Sequence, residues 1–289
     1  MAGIGHFVSA QARDDYLARY DALIRALPGE PGAVDAVTTF GQVRVLQFRS
    51  GGDGVPFVLL HGRGATSAMW QPNLAGLTAA RQVYAIDCLG EPGRSVQTVP
   101  IRTAEDQALW LRETLDELGV GRAHLVGLSS GGWLAFNLAR YAPERAASVS
   151  LLEPANVLAK FAPKFLLGGF TMLPGVPGGV GERFLGWVSG GAAMDQPIMR
   201  LLTQGQRDYR MRLPSPEYVT DDVLRSVQVP VLALIGGRSV VHSPQVAVRR
   251  AQTLLPDVEA ELWPEASHAL PGEFPAQVNA RIIRFAAGH

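Results

Sequence analysis

The chain carries one cysteine, Cys88, in 289 residues. A lone thiol excludes an internal disulfide framework and predicts a reducing, cytoplasmic setting. Charge of either sign is not in excess: 26 Lys and Arg balance 26 Asp and Glu, and there is no long basic run. This argues against nucleic acid or an anionic membrane surface as the main partner. No apolar run reaches the roughly 18 residues that a membrane span needs. The first dozen residues lack the basic stretch of a secretory leader, although Ser9-Ala10-Gln11-Ala12 faintly resembles a cleavage site. There is no internal repeat and no cluster with metal-ligand spacing. No Gly-x-Gly-x-x-Gly follows a strand, and no phosphate loop is present. Neither a cofactor nor a metal is expected, and the expected partner is a small molecule. What remains is an ordinary globular composition, 47% hydrophobic and 18% charged, in a chain long enough for one large α/β domain with a substantial core.

Short apolar runs alternate with helix-period stretches. Asp14 to Leu27 has apolar residues at helical spacing and stops at Pro28-Gly29, which predicts a helix in an N-terminal arm. Val37 to Phe40 and Val43 to Phe48 read as two early antiparallel strands around Gly41. Buried-strand runs follow at residues 57–60, 83–86, 123–126, 149–152, 231–235 and 258–263. Helices are expected from Thr103, with Asp106 completing a capping box, to Leu118, and then over 133–141, 244–255 and 274–286. Strand–helix alternation with near-continuous apolar strands predicts a mostly parallel sheet covered on both faces, with its chemistry at the carboxyl ends of the strands. From Pro154 to about Ser226 no strand is expected. Glycine and proline crowd residues 168–191, among Phe161, Phe165, Phe170, Met172, Leu173, Phe184, Trp187, Met194 and Met199. This divides the chain into a core over 1–153 with the arm at 1–35, a helical insert over 154–226, and the rest of the core over 227–289. The insert reads as a lid with an apolar underside; the blander alternative is an excursion that packs its own small core.

Gly127-Leu128-Ser129-Ser130-Gly131 directly follows the apolar run from Ala123 to Val126 and opens a helical stretch. A strand that reverses sharply into a helix forces its apical residue, Ser129, into a strained conformation, and the flanking glycines remove Cβ atoms that would collide. The serine oxygen then stands clear near a helix N-terminus, where unpaired N–H groups favour negative charge. The pentapeptide by itself is weak evidence; the strand before it and the helix after it give it weight.

Taken in order, His61-Gly62-Arg63-Gly64, Ile86-Asp87-Cys88-Leu89-Gly90 with Gly93-Arg94-Ser95, Gly127 to Gly131, and Ala266-Ser267-His268 resemble the α/β-hydrolase fold, and within it the lidded, carboxylesterase-like serine hydrolases. The resemblance covers nearly the whole chain. It implies an eight-stranded, mostly parallel sheet with helices on both faces, and a Ser–acid–His triad in that chain order. Serine needs a base that titrates near neutrality, which points to histidine. Of six histidines, His6 and His289 are terminal, His124 is in a buried strand, and His242 has no matching catalytic slot. The family uses His61 structurally, and its last loop, here carrying His268, delivers the base. The backbone N–H of Ser130 is one candidate oxyanion donor, and the family's second donor corresponds to the N–H of Arg63. The Arg63 side chain has two readings, a contact with an acidic substrate group or a reach into solvent.

The acid departs from the family pattern. The usual slot after the seventh strand reads Ile235-Gly236-Gly237-Arg238-Ser239, and serine cannot hold an imidazolium by charge. Some haloalkane dehalogenases place the acid at the end of the sixth strand, where this chain has Glu153. A carboxylate at the end of an apolar strand is costly without a partner, so Glu153 is assigned to orient His268. The alternative is that Glu153 pairs with an arginine or caps the lid, leaving a Ser–His dyad. Asp87 is expected to organise the Gly90–Ser95 turn, and Cys88 to be a buried thiol. Trp70, Trp133, Phe161, Phe165 and Trp187 are the candidate substrate-binding residues, although Trp70 reads more readily as packing beneath the first loop and Trp133 is open to either core or cavity. The reading is a cofactor-free serine hydrolase cleaving a carboxylic ester, or a thioester, through an acyl-enzyme. Its rivals are a tailoring enzyme that cyclises, lactonises or breaks a carbon–carbon bond, and a non-catalytic small-molecule receptor.

Overall fold

The computed structural model describes residues 3–50, 52, 54–172, 178–191 and 196–289. Eight strands form one continuous sheet: β1 (Gly32–Thr38), β2 (Gly41–Phe48), β3 (Phe57–Leu60), β4 (Val83–Ile86), β5 (Ala123–Leu128), β6 (Ala146–Leu152), β7 (Val231–Gly236) and β8 (Val258–Trp263). Their spatial order is β8-β7-β6-β5-β3-β4-β2-β1, and a two-residue strand, Val96–Gln97, pairs with β2 off this path as a ninth. The six strands from β8 to β4 run parallel, whereas β1 and β2 are antiparallel. The first strand starts at Gly32 rather than Val37, because its register with β2 extends back to the Gly32–Gln47 pair.

Side-chain alternation splits each central strand between two cores. In β3, Val58 and Leu60 point to a layer containing Trp110, Leu134 and Phe136. Phe57 and Leu59 point to the other layer, with Leu74, Leu77 and Phe285. Helices Ala104–Glu117, Ser130–Tyr141 and Pro244–Leu254 cover the first face, and Gln71–Ala80 and Pro275–Ala287 the second. All four β3 side chains are fully buried, each stabilising the fold by about 1.5–3 kcal/mol. The capping box forms as the sequence indicates, with the Thr103 side chain accepting from the Asp106 N–H and the Asp106 side chain accepting from the Thr103 N–H.

Between β6 and β7 the chain leaves the sheet and forms helices Pro163–Gly169, Gly178–Val188, Pro197–Asp208 and Asp221–Ser226. One expectation is corrected here: Tyr209–Arg210 is a short strand, paired antiparallel with His6–Phe7. The N-terminal helix Ala10–Arg25 packs against Pro197–Asp208, with Tyr16, Tyr20 and Leu201 as a separate small cluster. The arm therefore grips the end of the insert, a long-range pairing that local periodicity cannot announce. Leu173 to Pro177 and Met194, named above in the insert, lie outside the described residues.

Candidate active site

The site gathers where β3, β5, β6 and β7 end side by side. At the turn after β5, Ser129 has φ 54° and ψ −117°, a sparsely populated region for a residue with a Cβ. Its backbone is pinned on both sides. Its N–H donates to Leu152 O at 3.0 Å, and its carbonyl accepts from Trp133 N at 3.1 Å and Ala155 N at 3.0 Å. The flanking glycines are sterically required. A Cβ on Gly127 would sit 2.2 Å from Gly131 O, and one on Gly131 would sit 2.1 Å from Leu60 O.

The N–H groups of Arg63 and Ser130 donate to no protein acceptor among the described residues. Ser130 opens the helix Ser130–Tyr141, so its N–H belongs to the unsatisfied first turn. Gly62 brings the other turn close, since a Cβ there would lie 3.5 Å from Ser129 Cβ. His61 is a scaffold residue: Cys88 N donates to its Nε2 at 2.9 Å, and its Nδ1 lies 2.9 Å from Gly62 O. That pairing fixes a neutral ring with the proton on Nδ1. Asp87 organises the following turn, accepting from Ser67 N and Oγ and from Arg94 N.

Glu153 ends β6 with no solvent exposure and φ 50°. Its Oε1 accepts from Gly236 N at 2.7 Å, and its Oε2 accepts from Ser239 Oγ and from His268 Nδ1 at 3.0 Å. The serine in the usual acid slot is thus not a replacement for the acid but a donor to it. Burial pushes the Glu153 carboxyl up, yet the His268 hydrogen bond, the charges of His242 and His268, and the Ser239 hydrogen bond together hold it below its ordinary value. Its ionised form is therefore stabilising at neutral pH, and that contribution is lost as pH falls through the depressed value.

His242, set aside by sequence reasoning, also reaches this carboxylate, with Nε2 3.6 Å from Glu153 Oε2. Burial lowers its pKa against the opposing pull of Glu153. Only the folding of the loop after β7 onto β6 reveals that proximity. The His268 ring is 12% exposed on its side chain. No hydrogen bond joins it to Ser129 Oγ in this geometry, and such bonds often tighten only when substrate is bound.

A small cleft bordered by Ser130, the residue after Ser129, is walled by His61, Arg63, Ser130, Gly131, Trp133 and Leu134, with Leu213, Pro214 and Pro216 from the insert. Of the five aromatic candidates, Trp133 lines it, its Nε1 donating to Glu217 O at 2.9 Å. Trp70 does not. It is fully buried in the opposite core, a correction that follows from its packing with Leu74 and Leu128. Phe161, Phe165 and Trp187 join Phe184 in an aromatic row within the insert, with ring centroids 5.2–5.9 Å apart. They are not on the cleft wall, and Trp187 is 42% exposed. Among the described residues no set of three His, Cys, Asp or Glu converges as metal ligands, and no helix is long and apolar enough to cross a membrane.

Comparison with known proteins agrees with this architecture. The alpha/beta hydrolase family model matches residues 57–281. The chain is 36% identical to an uncharacterized carboxylesterase, nap, of Bacillus subtilis (strain 168), over 86% of this chain and 84% of that one. It is 32% identical to the carboxylesterase YbfK of the same organism, over 98% and 97%. Among solved structures, naproxen esterase from Bacillus subtilis superposes with a TM-score of 0.88 at 31% identity, covering 96% of this chain and 99% of that one. Carboxylesterase CesB (YbfK) gives 0.91 at 29%, covering 97% and 100%. With a strained serine after β5, a histidine after β8, a buried carboxylate joining β6 to that histidine, and a family match over most of its length, this chain belongs to the alpha/beta hydrolase family.

Proposed function

We propose that the protein is a serine carboxylesterase, cleaving a carboxylic ester with a hydrophobic portion through an acyl-enzyme. The observation that carries this reading is the Glu153–His268 hydrogen bond beside the strained Ser129 turn. The two Bacillus subtilis carboxylesterases support the substrate class.

In this reading His268 Nε2 accepts the Ser129 hydroxyl proton as Oγ attacks the ester carbonyl. Glu153, on the other ring nitrogen, fixes the tautomer that leaves Nε2 free and stabilises the imidazolium that forms. The unpartnered N–H groups of Arg63 and Ser130 receive the oxyanion, each worth on the order of 3 kcal/mol in the transition state. His268 then returns its proton to the leaving alcohol. Water, deprotonated by the same ring, releases the acid and restores Ser129. The insert over 154–226 acts as a lid. Support comes from Leu213, Pro214 and Pro216 on the cleft wall, and from Gly190, where a Cβ would lie 2.5 Å from the Ser267 side chain next to His268. Replacing Ser129 by Ala tests the reading: p-nitrophenyl butyrate turnover disappears while the thermal midpoint holds. Turnover that survives overturns it.

A further inference from the structure

One buried carboxylate takes no part in the chemistry above. Glu91, only 5% exposed, sits on the cleft wall between the oxyanion turn and the insert. Its Oε2 accepts from Gly64 N at 2.7 Å, one residue beyond Arg63. Its Oε1 accepts no hydrogen bond among the described residues, and the residue lines the cleft. Buried carboxylates are ordinarily paired with a cation, because an isolated charge in a low-dielectric site is costly. Glu91 is not paired: among the described residues no Arg, Lys or His lies within 4.0 Å of it. Arg63 shares the wall, but its side chain is exposed and makes no such pair. His61, the other basic wall residue, is held neutral by its two backbone partners.

Burial first, and Glu91 next, push the Cys88 thiol and the Tyr209 hydroxyl up. Gln107, on the same cleft wall, is 7% exposed and has its Oε1 fixed by Trp110 Nε1 at 2.7 Å. Its amide nitrogen donates to no acceptor among the described residues. Leu89, Trp110, Trp133, Leu134 and Leu213 make the apolar part of the wall. A largely apolar wall that carries one carboxylate without a cationic partner selects a ligand with an apolar arm and one positive donor.

We propose that Glu91 is the specificity determinant of an ammonium-recognising subsite, so that the preferred ester carries a protonated amine on an apolar arm. The proposal rests on the ester-hydrolase reading and adds the substrate class. The amine is carried on either the acyl or the alcohol side, and paired probes separate the two.

The test measures kcat/KM by pH-stat at neutral pH. Methyl ω-aminoalkanoates are compared with methyl alkanoates of equal length, and ω-aminoalkyl acetates with alkyl acetates. For at least one chain length the wild-type protein prefers the ammonium ester tenfold or more, and Glu91→Gln cuts that ratio at least tenfold. The glutamine carbonyl still accepts from Gly64 N, so the ratio isolates charge from support of the turn. Calorimetric titration of n-hexylammonium chloride against n-hexanol supplies a readout that needs no turnover and no variant. Tighter binding of the ammonium supports the subsite. Equal binding, no ammonium preference in either series, or a preference that survives Glu91→Gln overturns it. Loss of all ester turnover with retained ammonium binding would instead count against the esterase reading alone.

Discussion

Replacing Glu153 by Gln removes one charge from a site that seals it completely. Three donors converge on this carboxylate: Gly236 N, Ser239 Oγ and His268 Nδ1. A glutamine can keep its carbonyl oxygen towards Ser239 and His268 only by turning its NH2 towards the Gly236 N–H, setting donor against donor. What disappears is the attraction for the imidazolium that forms during attack. At 3.0 Å and an effective dielectric constant near 20, two unit charges attract by about 5 kcal/mol. At about 1.4 kcal/mol per power of ten, that is close to four decades of rate. The amide dipole returns a part, so kcat for p-nitrophenyl butyrate should fall by about 10³- to 10⁴-fold with KM little changed. Thermal unfolding and far-UV circular dichroism of the same preparation control for misfolding. A folded Glu153→Gln protein within tenfold of wild type would refute the assignment of Glu153 as the acid and leave a Ser–His dyad.

Ser239 provides a rescue experiment. Its hydroxyl donates to Glu153, so Ser239→Ala should cost a few-fold in kcat. Combining Glu153→Gln with Ser239→Asp returns a carboxylate to the loop after β7 and should recover at least tenfold over the single Glu153→Gln variant. No recovery would show that this loop cannot present an acid to His268. His124 gives a pH prediction. Buried at 2% exposure with Nδ1 2.8 Å from Ser148 Oγ, it is lowered from 6.5 to about 4, chiefly by desolvation. The folded state then binds fewer protons than the unfolded state between those values, so stability falls as pH drops from about 6.5 towards 4, by roughly 3 kcal/mol. Urea titrations at pH 7.5 and 4.5 should show this loss shrinking in His124→Gln, and an identical loss in both proteins would contradict it.

The linear order of residues already determined much of this protein. The near-continuous apolar runs specified a sheet covered on both faces, because such strands have no polar face to leave in water. The Gly-x-Ser-x-Gly turn specified a strained serine, because only glycine allows β5 and its helix to approach so closely. His268 emerged from the family resemblance, which puts the base in the loop after the last strand, and Glu153 from a known alternative acid position in the fold together with the cost of an unpaired carboxylate at a strand end. The tertiary structure decided matters that depend on chain segments far apart in sequence. The sequence left open which partner would hold Glu153. Folding put it under donors from the β7 loop and the β8 loop, 83 to 115 residues away. Trp70 carried the same aromatic signature as Trp133, and only packing sent one to the core and the other to the cleft. Glu91 and His242 gave no periodic signal at all, since a polar side chain in a loop has no repeat to betray its direction. Their burial is a property of the surfaces that close over them, and those surfaces exist only after the strands have paired.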